Sequence, residues 1–384
     1  MRILHTSDWH IGRTFHGFST LDALRGVLET LVAQVRTHAV DLVVVAGDVF
    51  DSAAPAADCY TLLTDILVAL RDTGAEVVLT SGNHDSTARL GFQSRLLRDG
   101  IHVVTDVGRV GTPITMTDAA GPVHVYGVPY LEPALLRHEW PGVRTQEQAL
   151  DYAMDLVRAD LAERGGRSVV IAHCFAAGVE PTPHLERDIQ QGGLDVVPRA
   201  VFDGVDYAAL GHIHGRQQLA ENVRYSGAPL HYSFGEGGKP RGSWLVDMDA
   251  AGFASAEWLA LPVPRPVVTL RAPLAELLDD ERFAAHENSW VFAEYTDTLP
   301  QREVMRRLQA RFPHCALVAH SPAEGRAADE RSYRQRVRAA RSDRELIETF
   351  LSHVRAGEGA TAREADLLSE VLSGGSGVST TARA

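Results

Sequence analysis

The chain contains a single lysine, Lys239; every other basic residue is arginine. That bias reads first as genome composition and only second as function. Cysteine is almost as scarce. Cys59, Cys174 and Cys315 stand far apart with no CxxC pair. This excludes a disulfide framework and a thiolate zinc site, and leaves buried free thiols. No window approaches the roughly 18 consecutive apolar residues that span a bilayer. The opening MRILHTSD turns polar too soon for a signal peptide, so a cytoplasmic location with no membrane contact is expected. Neither GxxxxGKS nor GxxxxGKT occurs, which excludes a P-loop nucleotide site. Positive charge is short overall. A formal net charge of −13 argues against a protein that coats DNA through a basic surface.

What is present is a layered α/β pattern. The 384 residues suffice for two or three domains with a sizeable core. The apolar runs 2–6, 41–46 and 76–80 predict buried strands. Between them, Leu24, Val27, Leu28, Leu31, Val32 and Val35 have helical spacing, and 57–72 repeats it, which implies βαβ units. Later runs at 102–105, 123–128, 168–172, 207–210 and 243–248 predict a second sheet packed on the first. Residues 1–262 thus read as one layered α/β domain. LPVPRP (261–266) marks a boundary. Residues 263–325 read β-α-β-α-β, a small separate domain. Residues 326–373 are helical, with 326–356 as one Arg-rich stretch and 362–372 as a second helix. Residues 374–384 should be a disordered tail.

Five polar clusters follow five strands. Asp8 and His10 lie in SDWH, Asp48 and Asp51 in AGDVFD, and Asn83, His84 and Asp85 in SGNHD. His173 ends SVVIAH, and His212 and His214 lie in ALGHIHG. Any one of these alone reads as a solvated turn. Sites in α/β sheets form beyond the carboxyl ends of strands, so five such clusters can converge. Imidazole and carboxylate suit manganese, iron or zinc. Asp8, His10, Asp48, Asn83, His173, His212 and His214 are too many donors for one ion. They suit two ions bridged by Asp48, with Asp8, His10 and His214 on one and Asn83, His173 and His212 on the other. Two ions bring four positive charges and Asp8 and Asp48 remove two, so the site stays electrophilic towards a phosphodiester. His84 is expected to face substrate and stabilise or protonate the leaving oxygen. Asp85 would orient it or anchor the turn, and Asp51 would hydrogen-bond a ligand imidazole.

DxH, GDxxD, GNHD, a lone His and GHxH together resemble the calcineurin-like metallophosphoesterases. SDWHIGR, GDVFDSAAPA, TSGNHDS, VPYL, DYAALGHIHGRQ and YSGAPLHYSFGE are similar to the SbcD-type nuclease subunits within that superfamily. The resemblance implies an αββα sandwich, a capping domain and C-terminal partner-binding helices. It implies two Mn2+ per chain on the seven donors, with Mg2+, Fe2+ or Zn2+ as alternatives, and a catalytic His84. It implies a 3′-to-5′ double-strand exonuclease and single-strand endonuclease acting on DNA ends, hairpins and single strands at the nucleoid. It also implies a homodimer within a heterotetramer, driven by a coiled-coil ATPase of the SbcC type. One departure stands out: ERDIQQGG (186–193) lacks the serine-rich run expected before its glycines.

Other features have two readings each. The stripe Leu346, Ile347, Phe350, Leu351 and Val354 would dock on a partner coiled coil or pack on its own domain; partner docking is favoured because two helices have little core. Arg326, Arg331, Arg334, Arg336, Arg338, Arg341 and Arg344 would follow a DNA backbone or form a solvated face. Leu62, Leu63, Ile66, Leu96 and Leu97 would pair two copies or fill the core. His16 would touch DNA or cap a surface loop. Competing functions are a phosphatase or small-molecule phosphodiesterase on the same scaffold, and a metal-free scaffold.

Overall fold

A computed structural model describes residues 1–97, 100–176, 196–322, 330–355 and 359–374. The chain divides into two compact units, Met1–Val267 and Val268–Ala384.

The first unit stacks two six-stranded sheets. One runs Gly252–Ala260, Gly242–Asp249, Arg2–Thr6, Leu42–Ala46, Glu76–Thr80, Ile101–Val104. The other runs Gln217–Ala220, Val223–Tyr225, Tyr207–Gly211, Arg167–His173, Gly121–Gly127, Ile114–Asp118. The strands Arg2–Thr6, Leu42–Ala46 and Glu76–Thr80 are parallel neighbours, as are Tyr207–Gly211 and Arg167–His173.

Period-two alternation explains the layering. Leu42, Val44 and Ala46 face the second sheet with Val169, Ile171 and Ala209. Val43 and Val45 face the opposite way, with Leu24, Leu28 and Leu31 of the helix Leu21–Thr37 and Leu62 and Ile66 of the helix Ala57–Arg71. On the far side, Val170 and Ala172 pack with Ala149, Ala153 and Met154 of the helix Gln146–Arg164. The unit is an αββα sandwich.

His5 makes a polar tie between the sheets. His5 Nδ1 lies 2.9 Å from the Tyr207 hydroxyl and Nε2 lies 3.1 Å from the Leu210 carbonyl oxygen. A carbonyl only accepts, so Nε2 carries the hydrogen and Nδ1 accepts from Tyr207. Burial drives this imidazole down to about 3, against the opposing pull of the Leu210 bond.

The helix Gln146–Arg164 and the strand Gly252–Ala260 were not expected. Ala149 and Ala153 form much of the buried helical face, so its apolar stripe is faint. The strand is an edge of its sheet and half its residues are exposed, so it carries little hydrophobic signal.

The second unit has a three-stranded sheet ordered Val267–Ala272, Trp290–Tyr295, Cys315–His320. The helices Leu274–Asp279 and Val304–Arg311 contribute Leu274, Leu277 and Leu308 to its core, beside Phe283, Val291 and Phe312. The single helix expected over 326–356 is instead two, Glu330–Ala339 and Asp343–Val354. The break is at Ser342, whose side chain accepts the Glu345 N–H and starts a new helix. A third helix spans Ala362–Gly374. Leu346, Phe350 and Val354 are exposed along one stripe, while Ile347 and Leu351 are half-buried. Arg336, Arg338, Arg341 and Arg344 are exposed, and Arg344 pairs with Glu348 at 3.1 Å. Arg326, the side chains of Arg331 and Arg334, the run 186–193 and the tail 375–384 lie outside the described residues.

Leu62, Leu63 and Ile66 are core residues, which removes them from any pairing surface. Leu96 and Leu97 remain exposed. His16 forms the tip of the hairpin Thr14–Phe15/Phe18–Ser19, with its ring against Phe15 and Phe234.

Candidate metal centre

The five clusters meet. They lie where Arg2–Thr6, Leu42–Ala46 and Glu76–Thr80 of one sheet, and Arg167–His173 and Tyr207–Gly211 of the other, end. The backbone there is strained. Among the described residues, Asp8, His10, Asp48 and His212 are four of the eight non-glycine positions with positive φ, at 53°, 45°, 49° and 103°. Left-handed backbone costs an L-residue free energy, so its concentration here marks a site held by its surroundings. The glycines of the motifs provide close approach. A side chain at Gly82 would occupy the place of the Asp48 carboxylate, and one at Gly47 that of the His173 ring.

Three overlapping groups of ligand atoms result among the described residues. Asp8, His10 and His214 form one, Asp48, His173 and His212 another, and His10, Asp48 and His84 a third that shares members with both. The Asn83 Oδ1 lies 3.0 Å from both His173 Nε2 and His212 Nδ1. Asp48 Oδ2 reaches the first two groups, at 3.5 Å from His10 Nε2 and 3.4 Å from His173 Nε2.

These atoms lack a consistent neutral protonation. His10 Nδ1 faces Asp51 Oδ1 at 3.3 Å, and His214 Nδ1 faces Glu236 Oε1 at 3.4 Å. A neutral ring that turns an N–H towards its carboxylate carries that hydrogen on Nδ1. The two Nε2 atoms, 3.0 Å apart, are left with lone pairs aimed at each other. His173 repeats the pattern: Nδ1 donates to the Ala46 carbonyl at 2.9 Å, so in the neutral ring Nε2 has no hydrogen for the Asn83 and Asp48 oxygens it faces. A cation resolves every conflict. Two nitrogens about 2.1 Å from one ion and at right angles about it lie about 3.0 Å apart. The donors present therefore fit divalent metal.

The electrostatics agree. Burial lowers His173, yet the Asp48 charge and hydrogen bond outweigh it and hold this imidazole up at about 9, so the group attracts positive charge. Burial opposes ionisation of Asp48 as well; His173 and His10 overcome it and hold the carboxyl well below its usual range. Burial and His173 push His212 down to about 3, so the ring is neutral at pH 7 and one of its nitrogens keeps a free lone pair.

Neighbours fix the donors. The Asp8 carboxylate accepts from Ser7 Oγ at 2.5 Å and from the His212 N–H at 2.9 Å. Asp48 Oδ1 accepts the His84 N–H at 2.9 Å. His84 Nδ1 lies 2.9 Å from the Asp51 carbonyl oxygen, which leaves Nε2 as its free nitrogen. Asp51 also pairs with Arg13 at 2.9 Å. Asp85 accepts from the N–H groups of Val49, Phe50 and Gly82, tying GDVFD to SGNHD.

Sequence reading missed four supporting residues. Glu236, Arg241, Tyr232 and Ser226 all lie within or just after YSGAPLHYSFGE. Their signal was an acid and an arginine five residues apart in a glycine-rich stretch.

The calcineurin-like phosphoesterase family matches residues 1–216, and the type 5 capsule protein repressor C-terminal domain matches residues 263–355. The SbcD component of nuclease SbcCD from Escherichia coli K12 is 33% identical over 328 residues, covering 81% of this chain and 82% of its own. The chain belongs to the SbcD family. The SbcD of Rhodobacter capsulatus is 37% identical over 309 residues, 72% of this chain and 74% of its own. Membership in the SbcD family and in the wider phosphoesterase family makes the chain a metal-dependent hydrolase of phosphodiester bonds. Solved structures are looser matches: a dimetal phosphatase from Danio rerio is 12% identical with a TM-score of 0.38, covering 68% of this chain and 99% of its own.

Proposed function

We propose that this chain is the DNA-cleaving component of an SbcCD-type complex, with two Mn2+ ions held by Asp8, His10, Asp48, Asn83, His173, His212 and His214. The observation that carries the reading is the Asp48 carboxylate, which reaches both groups of donors. Two such ions supply Lewis acidity towards phosphoryl oxygens and make water acidic at neutral pH.

The chain's own residues do the rest. Asp48 joins the two groups, and the His84 N–H fixes its orientation. Asn83 adds an oxygen donor without adding negative charge, so the site can accept an anionic backbone. His84 is the catalytic residue. Nδ1 gives its hydrogen to the Asp51 carbonyl, so Nε2 carries a hydrogen only in the doubly protonated ring, and it is that form which donates to the departing oxygen. Asp51 and Asp85 hold His10 and the two metal-binding turns in register.

The 3′-to-5′ exonuclease and single-strand endonuclease activities on ends and hairpins belong to this reading, as does a homodimer within a heterotetramer. The exposed stripe Leu346–Phe350–Val354 would dock on the coiled-coil ATPase partner, continued by exposed Leu367 and Val371 on the next helix. No helix among the described residues is long and apolar enough to cross a membrane. The direct test is to incubate the pure chain with Mn2+ and compare a labelled hairpin DNA with a chromogenic phosphate monoester. Preferential hairpin cleavage is expected; turnover of the monoester alone would assign a phosphatase.

A further inference from the structure

Glu236 and Arg241 form an ion pair buried beside the metal centre, 0% and 2% exposed. Glu236 Oε2 lies 3.1 Å from Arg241 Nη1 and accepts the Tyr232 N–H at 3.3 Å. Its other oxygen faces His214 Nδ1 at 3.4 Å. Arg241 Nη1 also donates to the His214 carbonyl oxygen at 2.6 Å. The pair therefore grips one residue twice: the carboxylate holds the ring and the guanidinium holds the backbone.

The same loop, 226–241, supports the rest of that donor group. Ser226 Oγ lies 2.8 Å from Ser7 Oγ, which bonds Asp8. The Tyr232 ring stands edge-on to His10, with centroids 5.5 Å apart. The other group is held by different means: the Ala46 carbonyl fixes His173, and the Asn83 oxygen meets both His173 and His212.

Stability gives little reason to keep such a pair, since a buried ion pair is often replaced by apolar residues at no cost. Its value is in its acceptors. A carboxylate offers an oxygen to His214 and another to Arg241 at once. Glutamine has one acceptor oxygen, and its NH2 group would then face a donor.

We propose that Glu236 is the positioning residue of His214, that Arg241 locks it in place, and that the pair sets ion affinity at the Asp8–His10–His214 position and not at the other. The inference rests on the two-ion reading. Its test is a calorimetric Mn2+ titration of the metal-stripped full chain. Glu236→Gln should weaken one of two binding events by about 10–100-fold and leave the second as in wild type. Two unchanged events, or equal loss in both, would overturn the proposal. If the variant does not fold, nitrogen-15 histidine NMR of the metal-free wild type decides. A proton on His214 Nδ1, assigned against a His214→Ala spectrum, supports the role; a bare Nδ1 overturns it. Wild type binding fewer than two ions overturns the two-ion reading itself, and that result appears before any variant is made.

Discussion

His10 and His214 point their Nε2 atoms at each other across 3.0 Å, while each Nδ1 rests against a carboxylate, Asp51 for one and Glu236 for the other. These two rings come from opposite sheets, so the sandwich itself brings them together. The facing lone pairs ask for a cation, and the carboxylates behind them orient both rings. A second group, Asp48, His173 and His212, lies beside this pair and is held differently, by the Ala46 carbonyl and the Asn83 oxygen.

His84 should separate binding from chemistry. His84→Ala leaves all seven donors in place, so the variant should retain two Mn2+ per chain. Cleavage should fall by about 10²–10⁴-fold, the usual worth of a positioned proton donor. Metal analysis with single-turnover rates on a labelled hairpin checks both halves. An unchanged rate would remove the assigned role.

Asp85 should matter for structure before chemistry. Its carboxylate receives three backbone N–H groups from two different motifs. In Asp85→Asn one oxygen is replaced by a donor facing donors. A loss of about 1–3 kcal/mol is expected, the cost of leaving buried N–H groups unpaired. Urea unfolding of the metal-free proteins measures it. A midpoint equal to that of wild type would show that the turn does not depend on the carboxylate.

Much of the site was legible because each donor ends a strongly apolar strand or sits one to four residues beyond it, and strand ends are where α/β sheets place ligands. The order of strands across the two sheets was not legible. It depends on which faces meet, and Leu42–Ala46 is apolar on both. Glu236 and Arg241 escaped for a related reason: neither lies at the carboxyl end of a strand, and a glutamate in a glycine-rich loop looks solvated until the fold buries it. The break at Ser342 was overlooked because the flanking charges continue across it. Ser342 followed by Glu345 was the available cue.

His5 should give the fold an acid-sensitive slope. Its folded value of about 3 lies below the unfolded value near 6.5, so the folded ring stays neutral while the unfolded chain takes up a proton. This contribution is complete above pH 6.5 and is lost as pH falls from there towards 3, by up to about 1.4 kcal/mol per pH unit. His5→Gln keeps a donor and an acceptor but cannot titrate. It should be less stable than wild type at pH 7 and lose less between pH 6.5 and 5, by about 2 kcal/mol. Parallel pH dependences of the two urea midpoints would contradict this.

Phe350 should report on the partner. It is 51% exposed between Leu346 and Val354 on the same stripe, so Phe350→Glu removes little core. Melting temperature and hairpin cleavage by the isolated chain should stay as in wild type, while co-purification with an SbcC-type ATPase is lost. Retained co-purification would place docking elsewhere.

The most direct measurement is anomalous diffraction from a crystal of the full chain soaked in Mn2+. Two peaks are expected, about 3.5–4 Å apart, one among Asp8, His10 and His214 and one among Asn83, His173 and His212, with Asp48 touching both. A single peak, or peaks remote from Asp48, would contradict a shared two-ion centre.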